Sequence, residues 1–258
     1  MGLRLAMFRY QGKVGYGIQD GGDFKVLAWE PYDGTVTLAD KISMEEAEPM
    51  APVVPTKIIA IGLNYRDHAE ELELEIPAEP IIFLKPPSAV IGHLGTIILP
   101  RQSQRVEYEG ELAVVMGREA RDVKAADADE YVLGYTCGLD MTARDLQHKD
   151  GQWTRAKSFD TFCPLGPWVE TDLDSGDDLG IELKLNGDTM QSSSTSNLIF
   201  SVPHLVEFVS SLMTLLPGDV IMTGTPAGVG PVEPGDIIDL EIEGVGKLSC
   251  NVACPNGV

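Results

Sequence analysis

The sequence predicts an α+β fold that is mostly β, with a small β-rich N-terminal domain over residues 1–50 and a main body over residues 51–258. Three observations predict it. Short apolar or alternating runs bounded by Gly, Pro, Asn and Asp recur along the chain, the pattern of strands and turns. Sustained helical periodicity is confined to Pro203–Leu215, with brief helical segments near residues 67–74 and 142–147. Finally, 258 residues of which 43% are hydrophobic can bury a substantial core.

The elements follow in order. Residues 2–10 alternate loosely, and VGYGI and FKVLAW come after them, between turns at Gln19–Asp23 and Pro31–Gly34, so a small meander is expected. Acidic, Pro-bearing sequence from Met44 to Pro55 reads as a linker. Lys57–Ile61 is a buried strand by its unbroken apolar run. Asp67–Leu74 holds good helix formers, with Asp67 placed as N-cap. There His68 and Glu71 are three apart and share a face, either as a hydrogen-bonded pair or as two solvated side chains. Such a short helix between Gly and Pro also has the build of a lid. Strand Ile81–Leu84 ends at Lys85, before two prolines.

Residues Arg105–Gly117, RVEYEGELAVVMG, carry Glu107, Glu109 and Glu111 at alternate positions, hence on one strand face. Neighbours on such a face stand about 6.6 Å apart, near enough for two carboxylates to share a small cation. The same face continues as Ala113 and Val115, which belong in a core. Two readings fit: a solvated edge strand, or a carboxylate face compensated by positive charge.

Tyr131–Leu139 is a further apolar strand, ending at Asp140. Thr142 and Asp145 resemble a capping box. Asp140, Arg144 and Gln147 stand at i, i+4 and i+7, one face of a helix that begins there. Lys157 lies beside a partly apolar run and is a candidate directed cation, whereas Trp153 and Trp168 read as core. IELKLNG is an alternating strand with an Asn186–Gly187 turn, and Ser192–Ser196 a polar loop. Pro203–Leu215 is an amphipathic helix in which His204 is incidental. Two PGD turns, Pro217–Asp219 and Pro234–Asp236, each feed a strand. Between them TGTPAGVG, residues 223–230, has the makings of an anion cradle, but no GK[ST] follows and it is not a P-loop.

Charge narrows the function. Nineteen Lys and Arg against 40 Asp and Glu give a net −21. So acidic a chain is a poor ligand for nucleic acid or for an anionic membrane. A small anionic substrate would need a local metal, Lys or Arg. The four cysteines, Cys137, Cys163, Cys250 and Cys254, form no CxxC pair and no zinc spacing, which suits a reducing, cytoplasmic setting. The opening MGLRLAMFRY is too short and interrupted for a signal peptide, and no apolar run approaches the ~18 residues of a membrane span.

Taken together, GLNYRDHAEE (62–71), IIFLKPPSA (81–89), VEYEGELAVVMG (106–117), GLDMTARDLQ (138–147), WTRAKSFDTFCPLGPW (153–168) and LLPGDVIMTGTPAGVGPVEPGD (215–236) resemble the fumarylacetoacetate hydrolase family. The resemblance runs from Lys57 to Lys247 with all blocks in family order. It implies a rolled mixed β-sheet with flanking helices, and a homodimer. It places metal ligands at Glu109, Glu111 and Asp140, substrate contacts at Arg144, Gln147 and Lys157, and a His68–Glu71 pair on a lid helix. The loop with Gly224 and Thr225 is similar to the segment that holds the substrate carboxylate. Lys85 falls in a block bordering the site and receives no role.

The founding hydrolases' additional acidic ligand and differently placed His have no match here, which points away from fumarylacetoacetate itself. A three-carboxylate set suits Mg²⁺ or Mn²⁺, with Ca²⁺ a further option, and lacks the Cys or His that zinc favours. The implied activity is metal-dependent C–C chemistry on small 2-oxo (β-diketo) acids through an enolate, as acylpyruvate hydrolase or oxaloacetate decarboxylase. In it Lys157 stabilises oxyanion charge, Gln147 positions, and His68 with Glu71 activates a water. The alternatives are an isomerase or decarboxylase of aromatic catabolism, acting on 2-hydroxyhepta-2,4-diene-1,7-dioate or 5-oxopent-3-ene-1,2,5-tricarboxylate, and a non-catalytic binding module. The intact Glu109, Glu111, Asp140 and Lys157 argue against the last.

Overall fold

The computed structural model describes residues 3–29, 41–173 and 175–255. The turn expected at Pro31–Gly34 lies outside the described residues. The chain opens with β1 (Arg4–Tyr10), β2 (Lys13–Asp20), β3 (Asp23–Trp29), β4 (Lys41–Ser43) and β5 (Glu48–Pro49). The main body begins with β6 (Ile58–Gly62), α1 (Arg66–Glu71), β7 (Ile81–Lys85), β8 (Val90–Ile91) and β9 (Thr96–Ile98). Next come β10 (Val106–Tyr108), β11 (Gly110–Met116), β12 (Val132–Leu139), β13 (Thr142–Ala143), α2 (Arg144–Asp150), α3 (Thr154–Lys157) and β14 (Cys163–Glu170). The chain finishes with β15 (Gly180–Leu185), β16 (Asp188–Ser194), α4 (Val202–Leu212), β17 (Val220–Met222), β18 (Gly230–Pro231), β19 (Ile237–Ile242) and β20 (Gly246–Ala253).

These strands build three sheets and a mostly β, α+β fold. The largest runs β4-β3-β2-β1-β14-β12-β11-β17-β6-β7, with β5 on β1 and β8 on β14. A second runs β16-β15-β19-β20-β9 and a third β13-β10-β18. The first two sheets are mixed and the third antiparallel: β6–β17, β8–β14 and β9–β20 are parallel, and the other pairs antiparallel. Strand β1 meets the main body at β14 through Arg4–Glu170 and Leu5–Val169. Phe8, Phe24 and Val26 form an apolar cluster of their own beside that seam. No helix among the described residues is long and apolar enough to cross a membrane.

Strand β11 is the hinge between two cores. Its Leu112, Val114 and Met116 enter the main cluster with Cys137 and Leu139 of β12, Leu183 of β15, Leu240 of β19 and Leu205 and Val209 of α4. Its Ala113 and Val115 enter a second cluster with Ile58, Ala60, Leu165 and Met222. The period of two thus holds, and the face bearing Ala113 and Val115 is the one that begins at Glu111. Helix α4 buries Val202, Leu205, Val206 and Val209 at i, i+3, i+4 and i+7, but it ends at Leu212, short of the expected Leu215, and Leu212 itself is exposed. The β15–β16 hairpin turns at Asn186 (φ 55°) and Gly187 (φ 91°), a pair of positive φ values that suits a two-residue hairpin.

Several local expectations are corrected. Asp67 is not an N-cap. Helix α1 is capped at Tyr65, and the Asp67 carboxylate accepts from the His68 amide and, at 2.5 Å, from the Ser193 hydroxyl. The Thr142–Asp145 capping box does not form. Helix α2 starts after Ala143, Thr142 donates to Glu109, and Asp145 accepts from Ser103 Oγ and the Gln104 amide. Long-range partners outcompete the local cap in both places. Within the expected 44–55 linker, Glu48–Pro49 pair with β1, and the expected loop at 192–196 is strand as far as Ser194. Trp153 is half-buried against Phe83 and lines a cavity instead of the core.

Candidate metal centre and active site

The site forms where strands β11 and β12 meet end to end. Their antiparallel register sets Gly110 opposite Leu139 and Glu111 opposite Gly138. The start of β11 therefore lies beside the end of β12, and the Asp140 amide donates to the Glu109 carbonyl at 2.9 Å. One carboxylate oxygen from each of Glu109, Glu111 and Asp140 lies within 4.8 Å of the others. All three are buried. The extended strand expected through Glu107–Glu111 is interrupted at Glu109, yet all three glutamates line one cavity of about 810 Å³.

Positive charge meets this cluster from three elements. Lys157, the last residue of α3, donates to Glu109 Oε2 at 2.8 Å and to Asp140 Oδ2 at 2.6 Å. Arg144, the first residue of α2, donates to Glu109 Oε1 and Glu107 Oε2, each at 2.5 Å, and to Gln147 Oε1 at 2.6 Å. Lys85, the last residue of β7, donates to Asp140 Oδ1 at 2.6 Å. Burial pushes the Glu109 carboxyl up, but Lys157 and Arg144 outweigh it and hold Glu109 well below its ordinary range. Burial likewise disfavours the Lys157 ammonium, yet Asp140 and Glu109 raise its pKa above the usual lysine value.

Glu111 behaves oppositely. Burial, then the neighbouring charges of Asp140 and Glu109, push its carboxyl well above the ordinary value, against one hydrogen bond from the Gly224 amide at 2.7 Å. A buried acid crowded by two other carboxylates favours either a proton or a cation in their midst. The donor set, three hard carboxylates with neither Cys nor His, fits an oxygen-preferring divalent ion.

His68 and Glu71 form the hydrogen-bonded pair, one of the two readings offered from their spacing. His68 Nδ1 lies 3.1 Å from Glu71 Oε2, and both residues line the same cavity as the carboxylates. Because an ionised carboxylate only accepts, Nδ1 carries the hydrogen and Nε2 is the free ring atom. The Gly228 amide donates to Glu71 at 3.1 Å. In the 223–230 loop two amides face the protein's own carboxyl groups, Gly224 on Glu111 and Gly228 on Glu71. Thr225 lines the cavity while its hydroxyl donates to the Gly110 carbonyl and accepts from Gln191. Gly224 has φ +99°, and a Cβ there would lie 2.9 Å from that of Asn64.

All ten residues singled out from the sequence therefore converge on this region. Arg144 and Gln147, expected to touch substrate, are bonded to each other, and Arg144 also to Glu107 and Glu109. Sequence reasoning gave Lys85 no role and did not foresee the arginine partners of Glu107, whose carboxylate accepts from Arg105 and Arg144. It also missed Phe83 and Trp153, which stand edge to face on the cavity wall, with Lys157 Nζ 4.9 Å from the Phe83 ring centre. A strand ending in Lys before two prolines was the one available signal for Lys85. A second groove, about 460 Å³ and lined by Met7, Val54 and Leu94 among others, carries no comparable chemistry. Its Arg9 and Glu48 are paired with each other.

Comparison with known proteins agrees with this geometry. The sequence profile of the fumarylacetoacetate (FAA) hydrolase C-terminal domain matches residues 57–253. The mitochondrial oxaloacetate tautomerase Fahd2a of Rattus norvegicus is 44% identical over 210 residues, 77% of this chain and 67% of that one. The crystal structure of 2-hydroxyhepta-2,4-diene-1,7-dioate isomerase from Mycobacterium marinum is 41% identical, covers 99% of this chain and 100% of its own, and superposes with a TM-score of 0.89. That of maleylpyruvate hydrolase from Sphingobium sp. SYK-6, in complex with manganese(II) and pyruvate, is 31% identical, covers 98% and 100%, and has a TM-score of 0.83. With its fold, its buried carboxylate cluster and its matched sequence all in agreement, the chain belongs to the fumarylacetoacetate hydrolase family.

Proposed function

We propose that this protein is a divalent-metal-dependent enzyme that moves a proton at the carbon next to the keto group of a small 2-oxo acid, with enol–keto tautomerisation of oxaloacetate as its first candidate reaction. The observation that carries the reading is the His68–Glu71 pair, 3.1 Å apart, lining the same cavity as Glu109, Glu111, Asp140 and Lys157. Glu109, Glu111 and Asp140 would hold the ion, Mg²⁺ or Mn²⁺ by their hardness, and such an ion supplies Lewis-acid charge to the substrate's carboxylate and keto oxygens. The Rattus tautomerase and the manganese- and pyruvate-bound Sphingobium structure support the choice of substrate class and cofactor.

The chain's own groups do the rest. Glu71 fixes the His68 ring through Nδ1, which aims Nε2 at the substrate as the atom that delivers or removes the C3 proton. In the enol-to-keto direction, C3 gains this proton and the enol oxygen releases one to solvent, from which His68 is recharged. Lys157, kept protonated by its acidic neighbours, donates to the developing oxyanion, and Arg144 sets the place of Glu109 while lying open to the substrate's carboxylate. Leu72, Leu74, Phe83 and Trp153 give the cavity an apolar wall beside its charged groups.

A second reading rests on the same pair. If His68 Nε2 activates a water, the cavity performs hydrolysis of an acylpyruvate, and without that water the same centre decarboxylates oxaloacetate. The experiment follows enol oxaloacetate, acetylpyruvate and fumarylpyruvate by absorbance and product analysis, before and after EDTA treatment and Mn²⁺ reloading. Loss of the enol signal with oxaloacetate intact as product, abolished by EDTA, supports tautomerisation. Pyruvate with carbon dioxide or a free carboxylic acid would favour the second reading, and turnover untouched by chelation would defeat both.

A further inference from the structure

Lys85 is among the largest fully buried side chains, and its environment is specific. Its side chain is 0% exposed. The ammonium donates to Asp140 Oδ1 at 2.6 Å, to the Lys157 carbonyl at 2.6 Å and, weakly, to the Met141 carbonyl at 3.4 Å. An ammonium has three donors and here all three are directed at the site. Placing a charge so deep is costly and persists only with good partners. The backbone around it is restrained as well. Lys85 is the last residue of β7, paired across to Ile58, and Pro86 and Pro87 follow it.

The geometry points to Lys85 as the positioning residue of the centre: one buried ammonium that fixes both the Asp140 carboxylate and the backbone from which Lys157 projects. This rests on the divalent-ion reading above. Asp140 offers one oxygen to each lysine, Oδ1 to Lys85 and Oδ2 to Lys157. Its carboxylate plane is therefore fixed on the Lys85 side by a group that never reaches the cavity. The Lys157 carbonyl is held by the same ammonium, so Lys85 Nζ ties a metal ligand to the backbone of the oxyanion-stabilising lysine, alongside the direct contact of Lys157 Nζ with Asp140. Partners of this kind, standing behind a metal ligand, are generally worth about 10–100-fold in metal affinity.

A different role for Lys85 makes the opposite prediction. If it only adds positive charge next to the centre, it repels a divalent ion, and removing it tightens binding. Mn²⁺ binding to the full-length protein, measured by calorimetry and by the electron paramagnetic resonance of unbound Mn²⁺, separates the two. Circular dichroism and thermal unfolding run alongside. Lys85→Met is expected to bind Mn²⁺ about 10–100-fold more weakly than wild type while retaining its fold. Lys85→Arg, which keeps the charge but spreads it over a planar fork, is expected to weaken binding by a smaller factor. Affinity in Lys85→Met equal to or tighter than wild type overturns the proposal. Where Lys85→Met does not fold, Lys85→Arg decides: wild-type affinity there overturns it, and weakened affinity in a folded protein supports it. Wild type that takes up no Mn²⁺ overturns the metal reading itself, and this one with it, whereas binding by wild type with no change in either variant overturns Lys85's role alone.

Discussion

At the scale of single residues, the account divides labour between groups that differ in what holds them. The His68 ring is hydrogen-bonded to Glu71 and not to Glu109, Glu111 or Asp140, so replacing it removes a proton carrier without opening the carboxylate cluster. His68→Asn is expected to lower kcat by roughly 10²–10⁴-fold with an unchanged melting temperature. Steady-state assay beside calorimetry checks this, and near-wild-type turnover would remove His68 from the chemistry. Asp219 is a purely structural counterpart. Its buried carboxylate accepts from the amides of Thr56, Lys57 and Leu216, the Thr56 hydroxyl and the Lys57 ammonium, tying the start of β6 to the start of β17. Burial pushes its pKa up, and these hydrogen bonds outweigh burial and lower it. A depressed carboxyl contributes stability that is present above the unfolded Asp value of about 3.9 and is lost as pH falls through the folded value. Asp219→Asn is expected to cost about 1–3 kcal/mol at neutral pH, with a smaller deficit in strong acid. Urea unfolding at both ends of that range tests it. Spacing alone left the glutamates between a solvated edge and a compensated face, and family resemblance made Glu109, Glu111 and Asp140 legible as a set. Lys85 was not, because its partner Asp140 is 55 residues away and a strand-end lysine is ordinarily solvated.

At the scale of elements, α1 cannot stand without its neighbours. Its six residues are far fewer than the ~12–15 an isolated helix needs. Tertiary contacts hold it: Ser193 on Asp67, Gly228 on Glu71, and the burial of His68 and Ala69. Ser193→Ala is therefore expected to raise amide exchange across residues 66–72 and to raise KM more than it lowers kcat, with little change in global stability. Exchange rates in α1 matching wild type would show that the serine is not its anchor. The 223–230 loop depends on one backbone conformation. Gly224→Ala puts a side chain at φ +99° against Asn64 and pulls the amide from Glu111, at an expected cost of about 1–3 kcal/mol together with loss of ion binding. Strand runs and the α4 stripe could be read from the sequence because period and burial coincide there. Caps could not, because Asp67 and Thr142 are claimed by Ser193 and Glu109, 126 and 33 positions away.

At the scale of the whole molecule, a net charge of −21 surrounds a cavity proposed to admit anions. That field repels a dicarboxylate, and salt screens it within a Debye length. The value of kcat/KM for oxaloacetate is expected to rise as ionic strength goes from roughly 0.01 to 0.15 M in a non-chelating salt. A fall would mean that Arg105, Arg144 and Lys157 dominate the approach. The mostly β architecture was legible because strand signals recur along the chain. The three-sheet arrangement was not, since pairings such as β1 with β14 join residues about 165 positions apart and leave no local mark. The central claim, a proton moved at C3 by His68 beside an ion held at Glu109, Glu111 and Asp140, is tested most directly by deuterium incorporation at C3 of oxaloacetate in D₂O, followed by NMR. The account predicts enzyme-dependent exchange that disappears with EDTA, returns with Mn²⁺ and is absent in His68→Asn. Exchange that persists in the chelated enzyme, or in the His68 variant reloaded with Mn²⁺, would contradict it.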